Sequence, residues 1–169
     1  SLGGVVVSDS LRVGGDKFDE AIVRFVKKEH NVLIGEPTAE EIKMKVATVF
    51  KGNRQAEIEV RGRDLVSGLP TTIKLTSEEI YRALQEPVAT LVSCVRSVLE
   101  KTPPELSADI IDRGIVLIGG GALLDGMAEL LQAETGIATI VADNPLECVA
   151  VGTGKVLSSL QKLRDSVIM

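Results

Sequence analysis

The sequence predicts an α/β fold, and three observations carry that reading. Apolar residues fill 44% of the 169 positions while aromatics fill only 2%. The core must therefore be aliphatic, which suits buried strands rich in branched residues. The segment "IVLIGGGALLDGMAELLQAETG", starting at Ile115, runs four aliphatic residues into three glycines and on into helical spacing. Helical and strand-like periods alternate along the rest, in a chain long enough to bury a sizeable core.

Each element follows from local chemistry. Val5 to Val7 and Ser10 to Val13 read as two short strands around "SDS", a hairpin with turn residues. After Gly14 and Gly15, Asp16 is the predicted N-cap of a helix. Its apolar positions, Phe18, Ala21, Ile22, Phe25 and Val26, recur at helical spacing as far as about Glu29. A loop leads to a second helix, with Thr38 and Glu41 spaced as a capping box. "AEIEVRGRD" and "LPTTIKL" alternate in strand fashion around "LVSG" and predict a hairpin.

Thr76 or Ser77 caps a long helix, in which Pro87 is expected to form a kink or a break. "TPPEL" ends it, and "SADIID" predicts a short helical turn. A strand from Ile115 to Ile118, the glycines, a helix from Leu124 to Ala133 and a strand in "GIATIVAD" follow. Pro145 opens the final helix, "PLECVAVGTGKVLSSL". Gly152 and Gly154 inside it cost about 1 kcal/mol each against alanine, which predicts close packing on a neighbour. The organisation is nested: an α+β insert from Val13 to Thr76 interrupts an α/β scaffold.

Composition also excludes. A net charge of −5 offers no basic field for a phosphate backbone, so nucleic acid is not an expected partner. Cys94, Cys148 and the single histidine, His30, form no disulfide or zinc pattern. No signal peptide or membrane-length apolar run is read, and a cytoplasmic address is expected. His30 reads as a helix-end cap, Met44 and Phe50 as core, Lys27 and Lys28 as a solvated face, and Asp125 as a cap or solvent-facing group.

The glycines carry the chemistry. Glycine tolerates positive φ and lets a ligand approach bare backbone, and the helix N-terminus behind it is partly positive. Gly119, Gly120 and Gly121 lack the spacing of a dinucleotide fingerprint and the Lys-Ser/Thr of a P-loop. From the residues alone, a tight strand-to-helix turn without ligand stands beside the binding reading.

Read together, "GGDKFDEAIVRFVKKEHNVLIGEPTAEEIKMKVATVF", "LEKTPPELSADIIDRGIVLIGGGALLDGM" and "NPLECVAVGTGKVL" resemble the MreB family of bacterial actin-like cell-shape proteins in order and spacing. The resemblance runs from Ser1 to about Leu160. It implies the second half of an actin-like ATPase, a ribonuclease H-like large subdomain with an inserted small subdomain. Residues 1–12 and 77–144 would form the large subdomain, 13–76 the small one, and 145–169 a helix returning to the first half. The sequence begins in what reads as mid-hairpin, after the family's second phosphate loop.

The resemblance also implies roles. Gly119, Gly120, Gly121 and Ala122 match the loop beside the adenosine and α-phosphate. Gly15 and Asp16 match the turn beside the ribose. Glu40 and Lys43, three apart on one helix face, match the side chains reaching ribose and adenine, against a plain reading as a solvated ion pair. The family binds ATP with Mg, self-associates into filaments and works with the cell-shape and wall-synthesis machinery. Its intact members are slow ATPases associated with the membrane through the other half. This chain is expected to lack turnover, because it carries neither phosphate loop, and to hold no nucleotide firmly by itself. It is expected to touch no membrane. A chaperone-like or sugar-kinase-like ATPase-fold protein is the alternative, and a pure assembly module is a third reading.

Overall fold

The computed structural model describes residues 4–167, and side chains through residue 157. Helix α1 spans Gly15–His30 and helix α2 Glu36–Lys45. Between them a two-residue strand, β1 (Val32–Leu33), pairs antiparallel with β2 (Glu57–Asp64). Strand β3 (Pro70–Thr76) completes a three-stranded antiparallel sheet in the order β1-β2-β3. Helix α3 (Ser77–Lys101) and helix α4 (Pro104–Arg113) lead to β4 (Ile115–Leu117). A 3-10 turn at Gly120–Leu123, helix α5 (Met127–Thr135), strand β5 (Thr139–Val141) and helix α6 (Pro145–Val167) follow. Strands β4 and β5 are parallel, joined through α5.

The core joins α1, α2, the antiparallel sheet and α3. Phe18, Ile22 and Val26 of α1 meet Ile42 of α2, Leu75 of β3 and Ile80 and Leu84 of α3, all essentially buried. Each such side chain contributes about 1.5–3 kcal/mol of burial. Helix α3 stays one helix through Pro87, contrary to a break there, because Ile80, Leu84, Val88 and Val92 keep one buried stripe on both sides of the proline. Thr76 caps α3 as predicted: its hydroxyl accepts from the Glu79 N–H, and the Glu79 carboxylate accepts from the Thr76 N–H. His30, in the last turn of α1, has Nε2 2.9 Å from Glu79 Oε1, tying α1 to this cap.

Several local expectations are corrected. Residues 5–13 form no strand pair; Val5 is 80% and Val6 53% exposed, and a short pair without a packed face is marginal. Helix α1 is capped by Gly14 and α2 by Gly35, and neither cap makes a side-chain hydrogen bond. Asp16 and Thr38 therefore lie inside their helices. Pro37 draws the start of α2 forward, since proline loses nothing in a first turn. Helix α4 begins inside "TPPEL", with Pro104 at its first position. Met44 is 72% exposed, because Ala39 and Ile42 set the buried side of α2 and Met44 lies about 200° round from Ile42. Among the described residues, a Cβ on Gly152 or Gly154 would meet nothing within 4 Å. Among the described residues no helix is long and apolar enough to cross a membrane.

Candidate functional site

Strand β4 ends in a loop whose three glycines differ in what they require. Gly119 has φ +82, a conformation that disfavours any side chain, and its N–H donates to the Pro145 carbonyl at 2.7 Å. Gly120 and Gly121 sit in the 3-10 turn with no positive φ. A Cβ on Gly121 would meet nothing within 4 Å, and one on Gly120 would only touch Leu146 Cδ2 at 3.5 Å. Both are exposed, whereas Ala122 is buried beneath them. The turn demands one glycine, and the other two leave backbone open to an incoming group.

The helix expected at Leu124 begins only at Met127, behind Gly126 in the left-handed region. The donors just after the glycines are therefore those of a short 3-10 turn. The dipole of α5 starts farther along the chain.

The second group of predicted residues gathers at the start of α1. Lys43, in the last turn of α2, donates to Asp19 Oδ2 at 2.8 Å and to the Gly15 carbonyl at 3.4 Å. Gly15 and Lys43 are thus brought together, since a Cβ on Gly15 would lie 3.4 Å from Lys43 Nζ. Asp16 is exposed in the first turn of α1, and Glu40 is exposed one turn before Lys43. The ion pair of Glu40 with Lys43 weighed from spacing is not the pair that forms: Lys43 turns to Asp19, both side chains being more than four-fifths buried. Among the described residues Asp19 Oδ1 is buried without a hydrogen-bond partner, and Lys43 is the cation paired with that carboxylate. A lysine ammonium has three donors, and Lys43 keeps at least one for another group.

Sequence reasoning missed Asp19, because its partner lies 24 positions away. It also missed Asp125, read as a cap or a solvent-facing residue. The structure joins Asp125 to Asn53 and Arg54, in the segment that leaves α2. Two cavities of about 470 Å³ lie elsewhere, one against the start of α3 beside Lys51, Thr76 and Tyr81, the other between Phe50 and α5. Neither is lined by the predicted residues.

The family model described as MreB/Mbl protein matches residues 1–165. The chain belongs to the MreB/Mbl family. It is 55% identical over 163 residues to the cell shape-determining protein Mbl of Bacillus subtilis, covering 96% of this chain and 49% of that protein. It is 52% identical over 160 residues to the cell shape-determining protein MreB of Escherichia coli, covering 95% and 46%. The chain thus spans about half the length of the curated relatives it matches. Among solved structures, MreB 5 of Spiroplasma citri bound to AMPPNP superposes with a TM-score of 0.92 at 36% identity, over 98% of this chain and 50% of that one. The MamK double helical filament superposes at 0.70 with 19% identity, over 86% and 46%, a likeness of fold. The fold class is accordingly α/β and actin-like.

Proposed function

We propose that this chain is the second half of a bacterial actin-like cytoskeletal protein that binds ATP with Mg between its halves, polymerises into filaments and maintains rod shape. The observation that carries the reading is the Spiroplasma citri relative, bound to AMPPNP, which shares almost the whole fold of this chain. Local geometry supports it. Gly120 and Gly121 leave bare backbone open, and the Gly15–Lys43 corner offers a held cation with a spare donor.

In this reading Gly119 to Ala122 line the adenosine and α-phosphate side, Gly15 and Asp16 the ribose, and Glu40 and Lys43 the ribose and adenine. Bound ATP with Mg supplies the transferable phosphoryl group. This chain's residues bind and orient the nucleoside; the described residues hold no cluster of three His, Cys, Asp or Glu side chains that would grip the metal. Phosphoryl transfer needs donors on both sides of a metal-bound triphosphate and a placed water. We assign those parts to the other half, together with membrane contact from the cytoplasmic face. Residues 1–12 and 77–144 are taken as the large subdomain, 13–76 as the small one, and 145–169 as the helix returning to the first half. Self-association and contact with the wall-synthesis machinery belong to the intact protein.

The test is ATP-dependent sedimentation and ATP binding by the full-length protein, with and without Gly120→Val. A valine there fills the open space against the loop, and binding should weaken while the protein stays folded. Normal ATP binding by this variant leaves the tight-turn reading of the glycines standing.

A further inference from the structure

The turn that leaves the glycine loop is gripped by the segment that leaves α2. The Asp125 carbonyl accepts the Val49 N–H at 2.9 Å and lies 3.4 Å from the Thr48 hydroxyl. The Asp125 carboxylate accepts from Asn53 Nδ2 at 3.1 Å and pairs with Arg54 Nη2 at 3.7 Å. Arg54 also donates from Nη1 to the carbonyls of Met44 and Ala47, at 3.2 and 3.4 Å. These carbonyls stand at the end of α2, where the helix leaves acceptors unpaired and partly negative. One guanidinium thus bridges the last turn of α2, next to Lys43, to a carboxylate four positions after Gly121.

Gly126 closes the same contact. With φ +81 it presents its bare α-carbon to Phe50: a Cβ there would lie 2.6 Å from Phe50 Cβ and 2.8 Å from the Phe50 backbone nitrogen. The intervening residues, Val46, Ala47, Thr48 and Val49, are all at most 1% exposed, so the link from α2 is a packed run of chain. Packed, hydrogen-bonded supports of this kind hold site residues in register.

We propose that Arg54, Asp125 and Gly126 form a clasp that fixes α2 against the glycine loop. They act as positioning residues for a nucleotide that none of them touches. The inference rests on the nucleotide reading above. On that reading, Lys43 and the glycine backbone approach one ligand from two elements, and the clasp sets the distance between them.

The test uses the full-length protein with its native cysteines, Cys94 and Cys148 among them, replaced by alanine. Spin labels go at Glu36→Cys on α2 and Glu129→Cys on α5, both exposed positions. The parent should give one narrow distance distribution. Arg54→Ala and Asp125→Ala should each broaden it and raise the Kd for a fluorescent ATP analogue about fivefold or more, a typical coupling between sites. The double variant should fall short of the sum of the two single ones, since both remove the shared Arg54–Asp125 link. Asp125→Asn keeps the backbone carbonyl and the side-chain shape; it serves if the alanine variants fail to fold and should show a smaller rise.

An unchanged distance distribution in these variants overturns the clasp. A broadened distribution with unchanged Kd, while Gly120→Val does raise Kd, overturns the positioning role alone. Unchanged Kd in Gly120→Val and Lys43→Ala overturns the nucleotide reading, and the role of the clasp with it.

Discussion

Replacing Gly126 by alanine separates the clasp from ordinary turn chemistry, because the fold contains its own control. Gly126 has φ +81 and ψ 4, and Gly136, the C-cap of α5, has φ +73 and ψ 7. The backbone cost of alanine is therefore nearly the same at both positions, about 1–2 kcal/mol. The stiffer unfolded chain returns about 0.4–1 kcal/mol in each case. The surroundings differ. A Cβ on Gly136 meets nothing within 4 Å, while one on Gly126 meets the Phe50 backbone nitrogen at 2.8 Å and Cα at 3.2 Å. Backbone held by the Val49–Asp125 hydrogen bond does not swing aside like a flexible side-chain tip. Overpacking of this kind costs about 1–3 kcal/mol. Gly136→Ala should thus lose about 0–1.6 kcal/mol and Gly126→Ala about 1–4.6 kcal/mol, a gap of about 1–3 kcal/mol between them. Urea unfolding with unchanged m-values measures both. In thermal melts the difference appears as about 2–4 °C per kcal/mol for a chain of this size. If the two variants agree within about 0.5 kcal/mol, the Phe50 segment yields freely and no rigid clasp exists.

Glu79 predicts an acid-sensitive cap. Burial pushes its carboxyl up, but the Thr76 N–H, the Thr76 hydroxyl and His30 together outweigh burial and hold it below its usual value of 4.5. A lowered folded pKa stabilises above the unfolded value, and that stabilisation is lost as pH falls through the folded one. Glu79→Gln should therefore cost about 0.5–1.5 kcal/mol near neutral pH, with the gap closing as pH falls below about 4.5; a pH-independent gap in urea titrations refutes the assignment. The chain by itself should show no metal-dependent ATP turnover above background, and turnover abolished by a Gly120 substitution would overturn this. It should also form weak dimers or small oligomers. Leu146, Val149, Val156 and Leu157 lie on one side of α6 and are each more than half exposed, and contiguous apolar surface favours association. Sedimentation velocity across a concentration series decides it: a clean monomer at high concentration removes the argument, and long filaments mean that this half carries both sides of the polymer contact.

Elements with their own periodicity were legible in the sequence. The stripe of α1, the alternation of β2 and β3 and the Thr76–Glu79 box all depend on residues within one or two turns or across a short loop. Strand β1 was not legible. Two residues carry no period, and Val32 and Leu33 are strand only because Asp64 and Arg63 lie opposite. The hairpin expected at Val5 to Val13 failed for the converse reason, since its local pattern was acceptable but most of its residues stay exposed. Caps failed where glycine competed: Gly14 and Gly35 begin their helices without side-chain help, which moves Asp16 and Thr38 inward.

The candidate site divides along the same line. Three consecutive glycines announce an unusual junction, but spacing does not say which of them the backbone needs. Of the three, only Gly119 has a positive φ, so the turn accounts for one glycine and not for three. Gly120 and Gly121 then need a separate cause, and open space over exposed backbone is what close approach of a ligand requires. Asp125 is the opposite case. Nothing local marks it, because its carboxylate and carbonyl engage Asn53 and Thr48, 72 and 77 positions earlier in the chain. On the proposed nucleotide reading, the two glycines that the turn leaves unexplained face the ligand. An aspartate explained only by distant chain points inward to whatever holds the site in place.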